Sequence, residues 1–466
     1  MSDAQSADGG QARTFEKTRT SETVLQRITA LRAPRKLQAL ELALLVFAVA
    51  IGVGAIVIID LTLGGAPSTE LLPMGAAFAV ALIGLHLTIR RIAPDADPLI
   101  MPIAAMLNMV GIAMIYRISF DEEAAFPVRQ LLWSTIAVVA AIAVLWVIRN
   151  HMVLFRYTYL TGLAAVVLLL LPMLPGIGQT LNGARVWINI GGFSFQPGEI
   201  AKILLAVFFA GYLVRSRDSL AMAGKKILGI RFPRARDLGP LIVFWLAAMS
   251  VLVFQRDLGT SLLYFGLFLS MLYLATGRIG WIILGLGLFL SGGLIASQTL
   301  PYVGNRFANW LDPFADPNGA SYQMVQGLFG MANGGMTGTG LGQGYPAVTP
   351  LSFSDYIIPS IGEELGLIGL FVILAAYLLL VGRGLRIGFA GHDDFGKLLA
   401  AGLAFTIAFQ VFIVVGGVTR VIPLTGLTAP FLAAGGSSLV SNWIIVALLI
   451  LLSNSVRNRP KLVIRS

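Results

Sequence analysis

Five stretches of this sequence place charged or polar side chains at the edges of long apolar runs. Phe254-Gln255-Arg256-Asp257-Leu258-Gly259-Thr260-Ser261 puts a carboxylate in a turn. There Asp257 can cap the following helix or serve as a general base, and Arg256 beside it favours the ionised form. Arg185-Val186-Trp187-Ile188 is followed by Gln196-Pro197-Gly198-Glu199-Ile200-Ala201-Lys202. Pro197 suits the first turn of a helix, and Glu199 and Lys202, three residues apart, can pair on one face. A third segment carries Arg306, Asp312, Asp316 and a glycine run at 334–342. No strand precedes that run, so it is not a dinucleotide fingerprint, although glycine-rich backbone can cradle phosphate or approach a substrate closely. The fourth stretch holds Asp355 and then Gly362-Glu363-Glu364-Leu365-Gly366. Two adjacent carboxylates at an apolar boundary are costly to bury, although a helix amino terminus also welcomes anions. The fifth runs Thr419-Arg420-Val421-Ile422-Pro423-Leu424-Thr425-Gly426, then Pro430 and Gly435-Gly436-Ser437-Ser438. Its small residues permit close helix packing or broken-helix backbone lining a cavity.

The elements that must position these groups are membrane helices. Hydrophobic residues make up 57% of the 466 positions and charged residues only 12%, half the charge of an ordinary soluble chain. The apolar residues fall in blocks of about twenty, the length that crosses a bilayer. Twelve spans are expected, at 38–60, 73–89, 98–116, 128–148, 157–175, 199–214, 238–254, 258–277, 279–296, 361–382, 395–418 and 431–453. The fold class is therefore all-α, a polytopic helix bundle. Residues 1–37 read as a disordered cytoplasmic tail, 38–97 as an additional amino-terminal pair of spans, 98–455 as the core with one large external loop at 297–360, and 456–466 as a basic cytoplasmic tail.

With both termini inside, 26 of the 33 Lys and Arg residues fall on the cytoplasmic side, a strong positive-inside pattern. The net charge of +10 is then explained by membrane lipids of the inner leaflet, with no nucleic acid required. The chain has no cysteine and three scattered histidines, His86, His151 and His392, so thiol chemistry and a histidine-rich metal site are both excluded. There is no Walker A loop. Arg185, Lys202, Arg256, Arg306 and Arg420 are five of only seven external cations. Such a cluster suits an anionic, phosphate-bearing substrate.

Taken in order, these segments resemble the SEDS family (shape, elongation, division and sporulation), membrane glycosyltransferases that polymerise lipid II into peptidoglycan. The resemblance covers roughly residues 105–455. Arg185 and Trp187 look like the family's Arg-x-Trp stretch. Gln196-Pro197 with Glu199 and Lys202 looks like its Gln-Pro-Ser-Glu motif, and Asp257-Leu258-Gly259 like the Asp-Leu-Gly that holds its catalytic aspartate. Gln323, the 334–342 run, Asp355, Gly362 to Gly366, Pro423, Thr425-Gly426 and Gly435 to Ser438 follow in matching order. Arg256 stands where most members have proline, Gly198 where they have serine, and Ala434 where they usually have tyrosine. The two extra spans are similar to those of elongation-type members from actinobacteria.

The resemblance implies that Asp257 deprotonates the acceptor GlcNAc 4-hydroxyl, which attacks C1 of the donor MurNAc and expels undecaprenyl diphosphate. Arg185, Lys202, Arg256, Arg306 and Arg420 are the expected substrate and diphosphate ligands. Gln196, Glu199, Asp355, Glu363, Glu364 and Ser437 are expected to support them. It also implies a class B penicillin-binding protein as partner. A divalent cation, Mg2+ or Mn2+, would suit the diphosphate, but the sequence shows no dedicated carboxylate cage for it. Two other functions compete: a lipid II flippase, which ionisable residues deep in several spans would favour, and a non-catalytic scaffold for wall synthesis. Arg256→Pro, by restoring the common family residue, is expected to leave activity measurable.

Overall fold

The computed structural model describes residues 37–64, 71–122, 126–181, 183–190, 193–222, 226–227, 230–231, scattered positions from 243 to 250, and 253–457. Nearly all of the expected tail 1–37, most of the tail 456–466 and most of the span at 238–254 lie outside the described residues. Among those described, ten helices are long and apolar enough to cross a membrane. They are α1 (Leu37–Leu63), α2 (Leu71–Ile92), α3 (Ile100–Glu122), α4 (Phe126–Val147), α7 (Pro197–Met222), α8 (Leu258–Thr276), α9 (Gly280–Thr299), α12 (Ile357–Ala390), α13 (Asp394–Val418) and α14 (Gly436–Arg457). Short α5 (Met152–Arg156) precedes α6 (Thr158–Leu170), the shorter apolar helix that occupies the segment expected at 157–175. The long 297–360 segment holds two further helices, α10 (Pro301–Leu311) and α11 (Tyr322–Gly334).

The helix ends are built by ordinary local chemistry. Pro197 opens α7, where its missing N–H costs no hydrogen bond. Asp257 caps α8, and Gly277 ends it in a left-handed conformation (φ 66°) with its N–H returned to the Tyr273 carbonyl at 2.7 Å. α3, α7, α13 and α14 form the buried centre of the bundle, while α9 is almost wholly exposed along its length, as a helix facing lipid would be. α12 packs on α13 and α11, α14 on α4, and α8 on α13 and α7.

α12 is broken. Unbroken, 34 residues would extend about 51 Å, against a hydrocarbon core of roughly 30 Å. Gly366 sits at φ 66° and ψ −173°, and a Cβ there would lie 2.2 Å from the Gly338 nitrogen, so only glycine fits. The backbone groups released by the break are taken up by the glycine run. Thr339 and Gly340 N–H groups donate to the Glu363 and Glu364 carbonyls, each at 3.0 Å. On the other side the Leu367 and Ile368 N–H groups donate to the Gly335 and Met336 carbonyls at 3.0 and 3.1 Å. Broken backbone is thereby satisfied inside protein, as a low-dielectric setting demands. These amides of the run are committed to α12 and are not laid out as a phosphate cradle.

Two small sheets accompany the helices, one of them a two-stranded pairing of Lys226–Ile227 with Ile230–Arg231. Residues after α6 form a small antiparallel sheet, β1 (Gly178–Leu181), β2 (Ala184–Ile190) and β3 (Phe193–Phe195). Val186 and Ile188 alternate inward along β2 and are buried, the period-2 pattern of a half-buried strand. That strand presents Arg185.

Candidate active site

The turn between the segment ending at Gln255 and α8 is where most of the expected groups converge. Asp257 Oδ1 accepts the Thr260 N–H at 3.0 Å, and Oδ2 accepts the Thr260 hydroxyl at 2.7 Å and Gln196 Nε2–H at 3.3 Å. Ser261 donates its hydroxyl to the Asp257 carbonyl at 2.7 Å. Gln196 is itself fixed by its N–H donating to Ser437 Oγ at 3.2 Å, so the amino ends of α7, α8 and α14 meet at this carboxylate. Gly259 permits the approach of the 424–427 segment, since a Cβ there would be 3.0 Å from the Thr425 carbonyl oxygen and closer still to Leu427.

Arg306 reaches this segment from α10 and donates to the carbonyls of Leu424 and Thr425 at 3.2 and 2.9 Å. Its charge acts on two carboxylates. Burial raises the Asp257 pKa, while the Thr260 hydrogen bonds and the Arg306 charge oppose the rise and Glu199 adds to it. Burial raises the Asp355 pKa to about 7, against Arg306 and the Ser354 hydroxyl, with Asp257 adding to the rise. Asp355 lies against Gly426, where a Cβ would be 3.6 Å from Oδ2. The opposing cation at Asp257 is thus Arg306, 49 residues away in sequence, and not neighbouring Arg256.

Arg256 is exposed and left-handed (φ 64°), with its guanidinium carbon 5.7 Å from the centroid of the Tyr302 ring. Proline, locked near −65°, cannot adopt this backbone, and it would also lose the Arg256 N–H bond to the Val253 carbonyl at 3.1 Å. The expectation for Arg256→Pro is therefore revised: that variant tests backbone strain as well as charge, and Arg256→Gly is the clean substitution. Arg185 lies at the rim, its N–H donating to the Gln255 carbonyl at 3.2 Å and its guanidinium to the Leu174 carbonyl at 3.3 Å.

The other expected ligands lie elsewhere. Lys202, fully buried, donates to Glu199 at 2.5 Å, Gln410 at 3.0 Å and Asn442 at 3.5 Å. Ser441 also donates to Glu199 (2.8 Å), and Gln410 to the Thr428 carbonyl (2.9 Å). All three ammonium donors have acceptors, so Lys202 and Glu199 form a satisfied polar network, and the Glu199 charge acts on Asp257. Arg420 donates to the carbonyls of Trp310 and Leu311 and staples α10 to the 419–423 turn. Glu363 and Glu364 belong to a separate cluster. Glu364 accepts Arg117 at 2.7 Å and the Gly342 N–H at 3.0 Å, and Glu363 accepts the Tyr345 N–H at 3.0 Å and Asn333 at 3.4 Å.

Sequence reasoning missed Thr260, Tyr302, Arg117, Gln410 and Asn442. Thr260 had a local signal, three residues after a capping Asp; Gln410 and Asn442 were polar residues inside apolar runs, which mark interior partners in a membrane helix. Among the described residues, no group of three or more His, Asp or Glu side chains converges as metal ligands.

Residues 98–458 match the model of the cell cycle protein family that comprises FtsW, RodA and SpoVE. The chain belongs to that family. Over 427 residues it is 46% identical to the peptidoglycan glycosyltransferase RodA of Mycobacterium tuberculosis strain H37Rv, covering 90% of this chain and 91% of the relative. Among solved structures it resembles the rod shape determining protein RodA of Thermus thermophilus, with 22% identity, a TM-score of 0.57, and coverage of 78% of this chain and 98% of that one. A second solved chain, from work on coordination of polymerisation and crosslinking by a peptidoglycan synthase complex, gives 24% identity and a TM-score of 0.62 over 78% of this chain and 99% of its own. These two likenesses are of fold. Membership of the family and the ten apolar helices make this a multi-pass protein of the cytoplasmic membrane.

Proposed function

We propose that this protein is a peptidoglycan glycosyltransferase that polymerises lipid II on the outer face of the cytoplasmic membrane. The observation that carries the reading is Asp257: three donors orient the carboxylate, burial raises its proton affinity, and a guanidinium stands across from it. A base of raised pKa takes a proton more readily than a free aspartate, and a positioned general base contributes about 10²–10⁴-fold. The 46% identical relative carries this activity in its name.

In this reaction the acceptor's GlcNAc 4-hydroxyl attacks C1 of the donor MurNAc, the bond from C1 to the diphosphate oxygen breaks, and Asp257 takes the hydroxyl proton. Arg306, Arg256 and Arg185 face the charge that develops on undecaprenyl diphosphate. Among the described residues, Glu199–Lys202 and Arg117–Glu364 lie in the first turns of α7 and the first half of broken α12. The remaining ion pairs, such as Glu41–His86 and those of Asp97, lie near other helix ends, so no file of charged pairs runs along a span, which argues against a flippase. A class B penicillin-binding protein is the proposed partner, and residues 38–97 and 98–455 the proposed accessory pair and catalytic core.

The deciding experiment is reconstitution of the purified protein with lipid II, with and without the partner, and a gel of glycan products. Polymer is expected; its absence in both arms would leave the scaffold reading. Sidedness is tested by cysteine labelling, which has no native background. Ala320→Cys is expected to react from outside, and Ala221→Cys only after permeabilisation.

A further inference from the structure

Tyr302 has no assigned role, and its surroundings are unusual. The left-handed backbone at Arg256 brings the guanidinium over the Tyr302 ring. Arg306 lies four residues further along α10, about one helical turn away. Burial raises the phenol's pKa, and the charges of Arg256 and Arg306 both oppose that rise. The hydroxyl oxygen is buried and has no hydrogen-bond partner among the described residues.

Buried hydroxyls nearly always have a partner. Neither flanking guanidinium can provide one for the phenol's proton, because guanidinium only donates. The group that fits is an acceptor that two positive charges also attract, and that is an oxyanion. Arg256 follows the same logic. A side chain with a Cβ holds φ 64° at a cost of about 1 kcal/mol or more, and here that conformation aims a cation at the phenol.

We propose that Tyr302, together with Arg256, forms an oxyanion pocket for a phosphate oxygen of the polyprenyl diphosphate, with the phenol O–H as donor. The proposal rests on the glycosyltransferase reading above. Tyr302 keeps its proton throughout; it binds and orients the diphosphate and takes no part in proton transfer. The family's usual proline at position 256 could not make this turn, so the pocket belongs to chains that carry a flexible residue there.

The test uses the full chain in phosphatidylcholine nanodiscs, with undecaprenyl diphosphate as the probe. Tyr302→Phe is expected to weaken its binding about tenfold or more, the usual effect of losing a hydrogen bond to a charged group. The thermal midpoint is expected to stay level or rise, because the hydroxyl removed has no partner among the described residues; a fall would mark a structural role and overturn the proposal. Arg256→Gly should weaken the probe to a similar degree, and the double variant should lose less than the product of the two. Equal binding by wild type and Tyr302→Phe overturns the pocket. A bilayer phosphate offers the same chemistry, so phosphatidylglycerol is titrated in parallel: an effect confined to that lipid also overturns it. Wild type that polymerises lipid II while Tyr302→Phe binds normally sinks the pocket alone. Wild type that binds undecaprenyl diphosphate through Tyr302 yet makes no polymer either with or without the partner keeps the pocket and sinks the glycosyltransferase reading.

Discussion

Asp355 and Glu363 are eight residues apart, yet they belong to clusters of opposite character. Around Glu363 and Glu364, one guanidinium serves two carboxylates and binds one of them directly, Arg117 to Glu364 at 2.7 Å, with the Gly342 and Tyr345 amides and Asn333 as further donors. Around Asp257 and Asp355, one guanidinium serves two carboxylates, and its own hydrogen bonds go to backbone carbonyls. The first cluster holds the glycine loop against the broken helix. In the second, among the described residues, neither carboxylate has a direct ion pair, and burial leaves both its acids with raised proton affinity. A buried carboxylate in a direct ion pair holds a conformation in place, whereas one without such a pair is a candidate for chemistry. Two motifs that look alike in sequence are separated by their partners.

The comparison breaks most easily at Asp257. Asp257→Asn should lower lipid II polymerisation at least about 10²-fold, since an amide cannot take the proton. The helix should tolerate it within a few tenths of a kcal/mol, because Asn is an equally good cap. Near wild-type turnover would reduce Asp257 to a cap; the assay needs a parallel check of expression and partner binding.

Next in size, Arg117→Met should destabilise the protein by about 3–5 kcal/mol, because it strands Glu364 as an uncompensated buried charge. Arg117→Met with Glu364→Leu should recover most of that loss in a denaturation measurement. If the single variant is as stable as wild type but inactive, the two clusters are not divided as described.

A smaller effect concerns pH. Asp355, with its pKa raised to about 7, binds its proton more tightly folded than unfolded. Its stabilising contribution is complete below about pH 4 and is lost as pH rises through about 7. The thermal midpoint in detergent should therefore fall between about pH 5 and pH 8, and Asp355→Asn should flatten the decline. An unchanged slope would show that Asp355 does not carry it.

The finest distinction lies between the two arginines. A general base must be ionised, so activity should drop as pH falls through the raised Asp257 pKa. Arg306→Gln should move that acid limb to higher pH, and Arg256→Gly should leave its midpoint in place while weakening diphosphate binding. A shift with Arg256→Gly alone would return the sequence-neighbour view of Asp257.

Much of this was legible in the chain, for local reasons. Apolar blocks located the spans to within a few residues in most cases, for example 395–418 against Asp394–Val418. Asp257 was recognisable as a cap, and Glu199 with Lys202 as an i,i+3 pair. The rest depends on partners remote in sequence: Arg117 with Glu364, Lys202 with Gln410 and Asn442, Gln196 with Ser437. Periodicity carries no record of such pairings. The β1–β3 sheet was hidden because strands of three to seven residues leave little periodicity beside spans of about twenty. The break at Gly366 was hidden because its cause, the Gly338 backbone, comes from another segment.

The Arg117–Glu364 bond also has a bearing on how the chain is made. Its partners are 247 residues apart, so at roughly 5–20 residues per second Glu364 leaves the ribosome about 12–50 s after Arg117. An acidic side chain opposes insertion of an apolar helix, and two stand side by side near the start of α12. The first half of α12 gains its counter-charge only by settling against α3 and the glycine loop. Biogenesis of this protein is therefore expected to include a late step, in which the segment around Glu363 and Glu364 enters a bundle that is already largely assembled.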